Sequence, residues 1–328
     1  MKLKFKHQSF QRDAARAVTD IFIGQRYDRG RTDSRQTTFD YDITAFRNEP
    51  IMLDKESLVQ NIREIQMSQD LEPITNIVGE GLNFTIEMET GTGKTYTYIK
   101  TMYELNKLYG WTKFIIVVPS IAIREGVAKS FKMLEEHFME YYGKKARWFI
   151  YNSSNLQQLD SFSSDSGLSV MIINTQAFAA SMKEGGKSKE SRIIYSKRDD
   201  FASRRPIDVI AANRPIIILD EPQKMGGAVT QKALKNFNPL FSLNYSATHK
   251  TQHNLVYVLD ALDAFNKRLV KKIEVKGFEV KNFRGTDKSL YLEQIVLSSK
   301  KPPMAKLELE IGYSKSINRE TRILGVGD

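Results

Sequence analysis

A glycine-rich stretch at residues 88–95, METGTGKT, contains the residue types that can bind a phosphate chain. It follows an apolar run and precedes a helix-like segment, which is the context that such a loop requires. Glycines let backbone N–H groups curl around phosphates, and the helix adds the positive end of its dipole. Lys94 would reach the β and γ phosphates, and the Thr95 hydroxyl would bind Mg²⁺. The residues expected to bind a nucleotide here are Thr90, Gly91, Thr92, Gly93, Lys94 and Thr95.

Met88 departs from the usual pattern for this loop. The pattern G-x-x-x-x-G-K-[ST] has glycine at the position of Met88. The substitution is acceptable if the turn does not need a positive φ there. The alternative is a glycine turn that only caps a helix, and both the G-K-T core and the preceding apolar run argue against it.

An Asp-Glu pair ends a second apolar run, PIIILDEPQ at residues 215–223. Asp220 is placed to bind Mg²⁺, and Glu221 is placed to position and deprotonate an attacking water. Such a pair is common by chance, so alone it is a weak signal. Together with Lys94 it gives a catalytic set for ATP hydrolysis, because kinases and simple switches generally lack the second acid.

A third stretch, NYSATH at residues 244–249, follows the next apolar run. Its small hydroxyl residues could hydrogen-bond to the Asp-Glu segment and transmit the state of the nucleotide to another surface. The alternative is an ordinary strand end rich in Ser and Thr. The residues expected to transmit this state are Ser246 and Thr248, and His249 stands directly after them.

The elements that must position these residues are strands and helices in alternation. The apolar runs are LNFTIEM, TKFIIVVP, ARWFIYN, LSVMIINT, PIIILDEP and FSLNYSAT, and helix-length segments separate them. Runs of this kind are typical of strands that are buried on both faces of a parallel sheet. We therefore predict an α/β fold with a doubly wound, mostly parallel sheet over residues 1–280, with polar insertions at about 25–80 and 181–214.

The pattern changes in residues 281–328. SLYLEQIVLSS and AKLELEIGYSKS alternate between apolar and polar residues, as antiparallel strands do. The final TRILGVGD contains no recognisable helix or strand that could finish a domain. We expect this part to be the β-rich, truncated start of a following domain.

Length, composition and charge limit the possible classes of protein. A chain of 328 residues exceeds what one core usually organises. The absence of cysteine excludes disulfides, thiolate metal sites and cysteine nucleophiles. The sequence has neither a signal peptide nor an apolar run of about 18 residues, so we expect a cytoplasmic protein without a membrane partner. The net charge of +10, with basic clusters near the N-terminus and in 267–285, favours a nucleic-acid partner; the alternative is a merely basic surface.

METGTGKT, DEPQ and SATH, in this order and at these intervals, resemble motifs I, II and III of superfamily 2 helicases. The surrounding sequence resembles a narrower group, the Res subunits of type III restriction-modification enzymes. The resemblance covers roughly residues 2–20 and 79–280. It implies a RecA-like lobe whose nucleotide hydrolysis is coupled to DNA.

The resemblance also implies roles for single residues. Gln11 in FQRDAA would read the adenine base, with Gln8 as its rival at the start of the same helix, and His249 would couple hydrolysis to movement. Two loops, which resemble motifs Ia and Ib, would line the DNA. For Gln11, Asn174 and Gln176 the alternative is a polar side chain that caps a helix or satisfies a loop. The residues expected at the DNA are Pro119, Ser120, Asn174, Thr175 and Gln176.

The resemblance implies the first motor lobe of a Res subunit, which uses ATP and Mg²⁺ on double-stranded DNA together with the modification subunit. No arginine motif of a second lobe and no nuclease signature follows in this sequence, so both are expected elsewhere in the parent protein. A stand-alone superfamily 2 helicase or a type I restriction motor remains an alternative. A non-motor P-loop switch or kinase is a further one from a different class, and SATH argues against it.

Overall fold

The computed structural model of the chain describes residues 5–28, 46–79, 81–179, 193–225, 228–249, 251–271, 290–297, 302–313 and 316–326. The chain divides into two compact units, Met1–Lys272 and Ile273–Asp328. The domain boundary predicted at residue 280 lies outside the described residues. So does most of the basic cluster at 267–285.

A seven-stranded sheet forms the centre of the first unit. Its strands are β1 (Asn83–Met88), β2 (Lys113–Val118), β3 (Arg147–Ile150), β4 (Ser169–Asn174), β5 (Ile216–Asp220), β6 (Phe241–Ser246) and β7 (Leu255–Leu259). The strand order is β3-β4-β2-β5-β6-β1-β7, and every neighbouring pair is parallel. The predicted α/β fold with a mostly parallel sheet is confirmed, and each predicted apolar run contains a strand. The short edge strand β7 was not predicted.

Helices connect these strands and cover the sheet. They are α1 (Ser9–Asp20), α2 (Lys55–Met67), α3 (Lys94–Tyr109), α4 (Ile121–Tyr142), α5 (Gln157–Ser164), α6 (Pro206–Ala212), α7 (Ala228–Lys235) and α8 (Ala261–Asn266). Helix α4 begins where the Ser120 side chain accepts a hydrogen bond from the backbone N–H of Ile123, as an N-cap does. In the described residues, no helix is long and apolar enough to cross a membrane.

The hydrophobic core lies on both faces of the sheet, because successive side chains of a strand point to opposite faces. In β2, Phe114 and Ile116 belong to one buried cluster, whereas Ile115 and Val117 belong to the other. All four side chains are fully buried. The continuous apolar runs of the sequence are therefore explained by a sheet that is covered on both sides, as a doubly wound fold requires.

The two stretches predicted as polar insertions also contribute to this core in their described parts. Leu58 and Ile62 of α2 are buried in one cluster, and Ile207 and Ile210 of α6 are buried in the other. In α2 charged residues are interspersed with the apolar stripe, whereas α6 is mostly apolar and the charged residues of its stretch precede it in the sequence.

Asn48, in the first predicted insertion, hydrogen-bonds to backbone groups at the sheet. Its amide nitrogen donates to the carbonyl oxygens of Lys113, at 2.8 Å, and of Arg214, at 3.0 Å. Its side-chain oxygen accepts from the backbone N–H groups of Thr112 and Lys113. One buried side chain thus satisfies four backbone groups at the amino end of β2, as buried polar groups must be satisfied.

The second unit contains a three-stranded antiparallel sheet. Its strands are β8 (Leu290–Val296), β9 (Met304–Tyr313) and β10 (Ser316–Leu324), in the order β10-β9-β8. The predicted alternating strands are confirmed. The expectation that TRILGVGD contains no strand is wrong, because Thr321–Leu324 pairs with β9 as the end of β10. Residues 318–324, NRETRIL, include three charged side chains and therefore lack the apolar alternation of a strand. Their pairing with β9 makes them part of the sheet.

Candidate nucleotide-binding site

The predicted site residues come together at one edge of the seven-stranded sheet. Because the strands are parallel, their carboxyl ends lie along the same edge, and this is where open α/β sheets bind ligands. The loop after β1 carries the predicted phosphate loop, and the loops after β5 and β6 carry the acid pair and the third motif. Strand β6 separates β5 from β1, so these three loops are direct neighbours in space.

The phosphate loop has the backbone that its glycines permit. Gly91 and Gly93 have φ values of +84° and +88°, in the left-handed region that favours glycine. Gly93 is also the N-cap of α3, so the helix amino end lies at the loop. Met88 ends β1 fully buried and without a positive φ. Its side chain therefore replaces the usual glycine without backbone strain, as expected.

Hydrogen bonds within the loop fix its curvature. The backbone N–H and the hydroxyl of Thr92 both donate to the carbonyl oxygen of Glu89, at 3.3 Å and 2.6 Å. The Glu89 carboxylate accepts from the N–H of Thr90 at 2.7 Å. The loop is thus closed on itself before α3 begins.

Gln11 holds the phosphate loop from α1. It is buried, and its side-chain nitrogen donates to the carbonyl oxygen of Thr92 at 3.0 Å. A Cβ atom on Gly93 would lie 2.6 Å from that nitrogen, so a larger residue there would displace the Gln11 amide from the loop. Gln8 is exposed and is the N-cap of α1 through its backbone. Gln11 thus satisfies a loop carbonyl, which was the structural alternative to its expected role at the base.

A cavity of about 430 Å³ adjoins this part of the loop. Gln8 and Gln11 both line it. Its other lining residues include Phe5, Gly93, Thr95, Tyr96 and Met133. The mixture of apolar walls and a few amide groups is typical of small-molecule sites.

Lys94 pairs with Glu221 across the site. The distance between Lys94 Nζ and Glu221 Oε1 is 3.1 Å, and both side chains are largely buried. Lys94 Nζ also donates to the carbonyl oxygen of Met88 at 3.4 Å. Glu221 has a φ of +59°, which is uncommon for a residue other than glycine. Strain of this kind clusters at functional sites.

The two acids of the pair have different protonation behaviour. Burial, with a contribution from the charge of Glu221, raises the pKa of Asp220 to about 6. Burial also acts to raise the pKa of Glu221, but attraction to Lys94 and hydrogen bonds from Lys94 and Gln223 outweigh it and lower that pKa. Glu221 is therefore the more readily ionised acid, and the surroundings penalise the charge of Asp220.

Two residues that were not predicted as site residues contact the acid pair. Tyr98 of α3 is fully buried, and its hydroxyl donates to Asp220 Oδ2 at 3.2 Å. Gln223 donates from its side-chain nitrogen to Glu221 Oε2 at 2.6 Å. Gln223 belongs to the quoted DEPQ and could have been proposed from it. Tyr98 follows Thr95 by three residues, a helical spacing that puts both on one face.

The third motif reaches the acid pair through Gln223. The Ser246 hydroxyl lies 2.8 Å from Gln223 Oε1 and also contacts the backbone of Thr248. Among the hydrogen bonds of the described residues, Ser246 makes none directly to Asp220 or Glu221. The expected link between the two motifs therefore exists, with the Gln223 amide as its intermediate.

His249 lies beside β1 rather than against the acid pair. Its Nε2 is 3.3 Å from the carbonyl oxygen of Ile86. Burial lowers the pKa of His249, although nearby Glu87 and Glu221 act in the opposite direction, so the imidazole is neutral at pH 7. The Thr248 side chain is exposed.

The two loops predicted to face DNA leave the same edge of the sheet. Pro119 and Ser120 follow β2, and Ser120 is engaged as the α4 cap. Asn174 ends β4 and is buried, whereas Gln176 is exposed in a short 3-10 helix that starts at Thr175. Val118 pairs with Asn174 in the sheet, which makes the two loops neighbours. Gln176 is the most accessible of these side chains.

The oxygen donors at the site fit Mg²⁺. Thr95 and Asp220 offer a hydroxyl and a carboxylate, which are hard oxygen ligands. In the part of the chain that the structure describes, no three His, Cys, Asp or Glu side chains form a metal cage. Mg²⁺ does not need one, because it usually binds one or two protein oxygens and keeps water and phosphate oxygens as its other ligands.

Comparison with known proteins gives the family. The family model for "Type III restriction enzyme, res subunit" matches residues 56–251. The EcoPI Res subunit of Escherichia phage P1 is 32% identical over 241 residues, which are 69% of this chain and 25% of that protein. The EcoP15I Res subunit of Escherichia coli is 29% identical over 283 residues, 82% of this chain and 28% of that protein. The chain therefore spans about a quarter of the length of these relatives.

Two solved structures have a similar fold over part of the chain. One is a Sulfolobus solfataricus SWI2/SNF2 ATPase core in complex with dsDNA, with 11% identity, a TM-score of 0.33 and coverage of 58% of this chain and 31% of that one. The other is a nuclease-deletion mutant of the Type ISP restriction-modification enzyme LlaGI, with 15% identity, a TM-score of 0.37 and coverage of 64% and 20%. The family assignment depends on the sequence relatives and on the matching family model. On these grounds the chain belongs to the family of type III restriction enzyme Res subunits.

Proposed function

We propose that this chain is the ATP-hydrolysing motor lobe of a Res subunit. It couples ATP hydrolysis to translocation or switching on double-stranded DNA, before cleavage by a nuclease domain outside this chain. The observation that supports this best is the contact network around Glu221. Lys94 pairs with one carboxylate oxygen and Gln223 binds the other, and Gln223 also contacts Ser246. The proposed phosphate-binding lysine and water-activating acid are thus in direct contact, and Gln223 connects the acid to the third motif.

Phosphate binding and water activation are carried out by different residues of the chain. The N–H groups of residues 90–95 and the amino end of α3 bind the phosphates. Lys94 exchanges its contact with Glu221 for the β and γ phosphates, because these two phosphate groups together carry more negative charge than one carboxylate. Glu221, released from Lys94, accepts a proton from the attacking water. Lys94 therefore links phosphate binding to the activation of Glu221.

Thr95 and Asp220 would hold Mg²⁺, which supplies charge neutralisation at the β and γ phosphates when it is bound. Asp220 is ionised at neutral pH, since its pKa is about 6. Gln11 and Gln8 border the cavity beside the phosphate loop, and one of the two amides would read the adenine base. Ser246, Thr248 and His249 would pass on the state of the nucleotide.

The chemistry of the exposed loops and the charge of the chain support DNA as the partner. Pro119, Ser120, Asn174, Thr175 and Gln176 lie beside the nucleotide site, and the sequence carries a net charge of +10. Such a surface holds the phosphate backbone and not the base edges. Its matched relatives are subunits of restriction-modification enzymes, so we propose the modification subunit as the protein partner.

The experiment separates nucleotide binding from hydrolysis. Lys94→Ala is expected to abolish binding of Mg²⁺·ATP by the chain, whereas Glu221→Gln is expected to keep binding and to abolish hydrolysis in the complete enzyme with DNA. Lys107→Ala, at the exposed far end of α3, is the control and should match the wild type in both. Loss of ATP binding in a folded Glu221→Gln variant would contradict the role given to Glu221.

A further inference from the structure

Tyr98 places a polar hydroxyl on the buried face of α3, in contact with the acid pair. It is fully buried in α3, and its hydroxyl donates to Asp220 Oδ2 at 3.2 Å. The two residues are 122 positions apart in the sequence, so the fold alone brings them together. A phenylalanine would fill the same space without a hydroxyl, and the phenol oxygen is therefore the feature that needs an explanation.

Thr95, the other side chain expected to bind Mg²⁺, precedes Tyr98 by three residues in α3, so both lie on one face of the helix. The buried Tyr98 hydroxyl thus contacts the expected carboxylate ligand and lies on the helix face of the expected hydroxyl ligand. Its bond to Asp220 uses Oδ2 and does not involve Oδ1.

The Tyr98 side chain is held rigidly by its surroundings. Its ring packs edge-to-face against Tyr245, with 5.6 Å between ring centroids and an interplanar angle of 67°. The Tyr245 ring makes this contact, whereas its hydroxyl lies 3.0 Å from Thr101 Oγ1. A buried ring in contact with a second buried ring has little freedom, and a rigid support is what an accurately placed ligand set requires.

We infer that Tyr98 is a positioning residue of the Mg²⁺ site, whose hydroxyl holds the Asp220 carboxylate through Oδ2 and leaves Oδ1 available to the ion. This inference rests on the proposed function, because it assumes that Asp220 binds Mg²⁺. Residues that orient metal ligands in this way typically account for about 10–100-fold in metal affinity. Tyr98 does not touch the nucleotide in this role.

The test is a Mg²⁺ titration of nucleotide binding by the 328-residue chain. The fluorescent analogue mant-ATP is the probe, and MgCl₂ is added to the wild type, Tyr98→Phe and Tyr245→Phe. Tyr245→Phe is the matched control, since it also removes one hydroxyl from a fully buried tyrosine of the same cluster without contacting Thr95 or Asp220 through that hydroxyl. Circular dichroism and the unfolding midpoint verify the fold, and the titration is run at a temperature where all three proteins are folded.

We expect Tyr98→Phe to raise the half-saturating Mg²⁺ concentration by about 10-fold, with the same plateau in excess Mg²⁺ and unchanged mant-ATP binding in EDTA. Tyr245→Phe should match the wild type. A Tyr98→Phe titration that coincides with the wild type would overturn the inference and leave the proposed function intact. Equal shifts in both variants would show a packing effect and would also overturn it. A wild type whose nucleotide binding ignores Mg²⁺ would refute the proposed function itself.

Discussion

Replacing Asp220 with asparagine is expected to stabilise the protein while it removes Mg²⁺-dependent function. Burial raises the pKa of Asp220 from its ordinary 3.8 to about 6. A folded-state pKa above the unfolded value means that the folded protein binds the proton more tightly. The free energy of unfolding therefore falls as the pH rises from about 4 to 6, and the full penalty is present above that window.

The size of the effect follows from the pKa difference. The shift from 3.8 to about 6, at 1.36 kcal/mol per pKa unit, corresponds to about 3 kcal/mol in the absence of Mg²⁺ and nucleotide. Asparagine carries no charge and keeps a side-chain oxygen that can accept the Tyr98 hydrogen bond. Asp220→Asn should therefore be up to about 3 kcal/mol more stable than the wild type at pH 7.5, and its advantage should shrink towards pH 5.

Urea unfolding followed by circular dichroism at pH 5 and pH 7.5 measures this difference. Asp263→Asn is the control, because it makes the same chemical change at an exposed position, where effects usually stay within about 0.5 kcal/mol. Addition of Mg²⁺·ATP should then stabilise the wild type and not Asp220→Asn. A variant that is equal to or less stable than the wild type at pH 7.5 would refute the claim that its surroundings penalise this charge.

Two further predictions concern the loop and the DNA surface. Gly93→Ala should lower nucleotide affinity by more than about 10-fold, because the added Cβ would lie 2.6 Å from Gln11 Nε2 at a φ of +88°. A mant-ATP titration measures this loss of affinity. The control is Gly81→Ala, which has a φ of +76° and no atom within 4 Å of the added Cβ, and which should bind mant-ATP as the wild type does. Binding to random duplex DNA should weaken about 40-fold between 50 and 200 mM salt if about three phosphates are contacted. Fluorescence anisotropy measures this, and a flat response would mean that the basic residues form only solvated surface.

The fold class and the glycine-dependent backbone of the phosphate loop could be predicted from the sequence alone. Short, continuous apolar runs that alternate with helix-length segments are typical of buried strands in a sheet covered on both faces, and that inference needs no coordinates. Likewise, the glycines of G-T-G-K-T permit the left-handed backbone that the structure has at Gly91 and Gly93. Strand formation by an apolar run and the backbone conformation of the loop glycines are local properties, because each depends on a short stretch of residues. Strand β7 is itself a short apolar run, LVYVL, that was not singled out among the predicted strands. The end of β10 contains charged residues, and its pairing with β9 defines it as a strand.

The tertiary structure alone decided which side chains meet. The sequence pattern predicts Tyr98 only as a buried residue of a helix. The packing of α3 on the parallel sheet brings its hydroxyl to Asp220. Gln223 stands in a recognisable motif, yet its bridge from Glu221 to Ser246 depends on β5 and β6 being neighbours. The same holds for the loop contact that occupies Gln11. Spacing in a sequence fixes the type of element, but contacts between distant residues depend on strand order, which the spacing of residues does not encode.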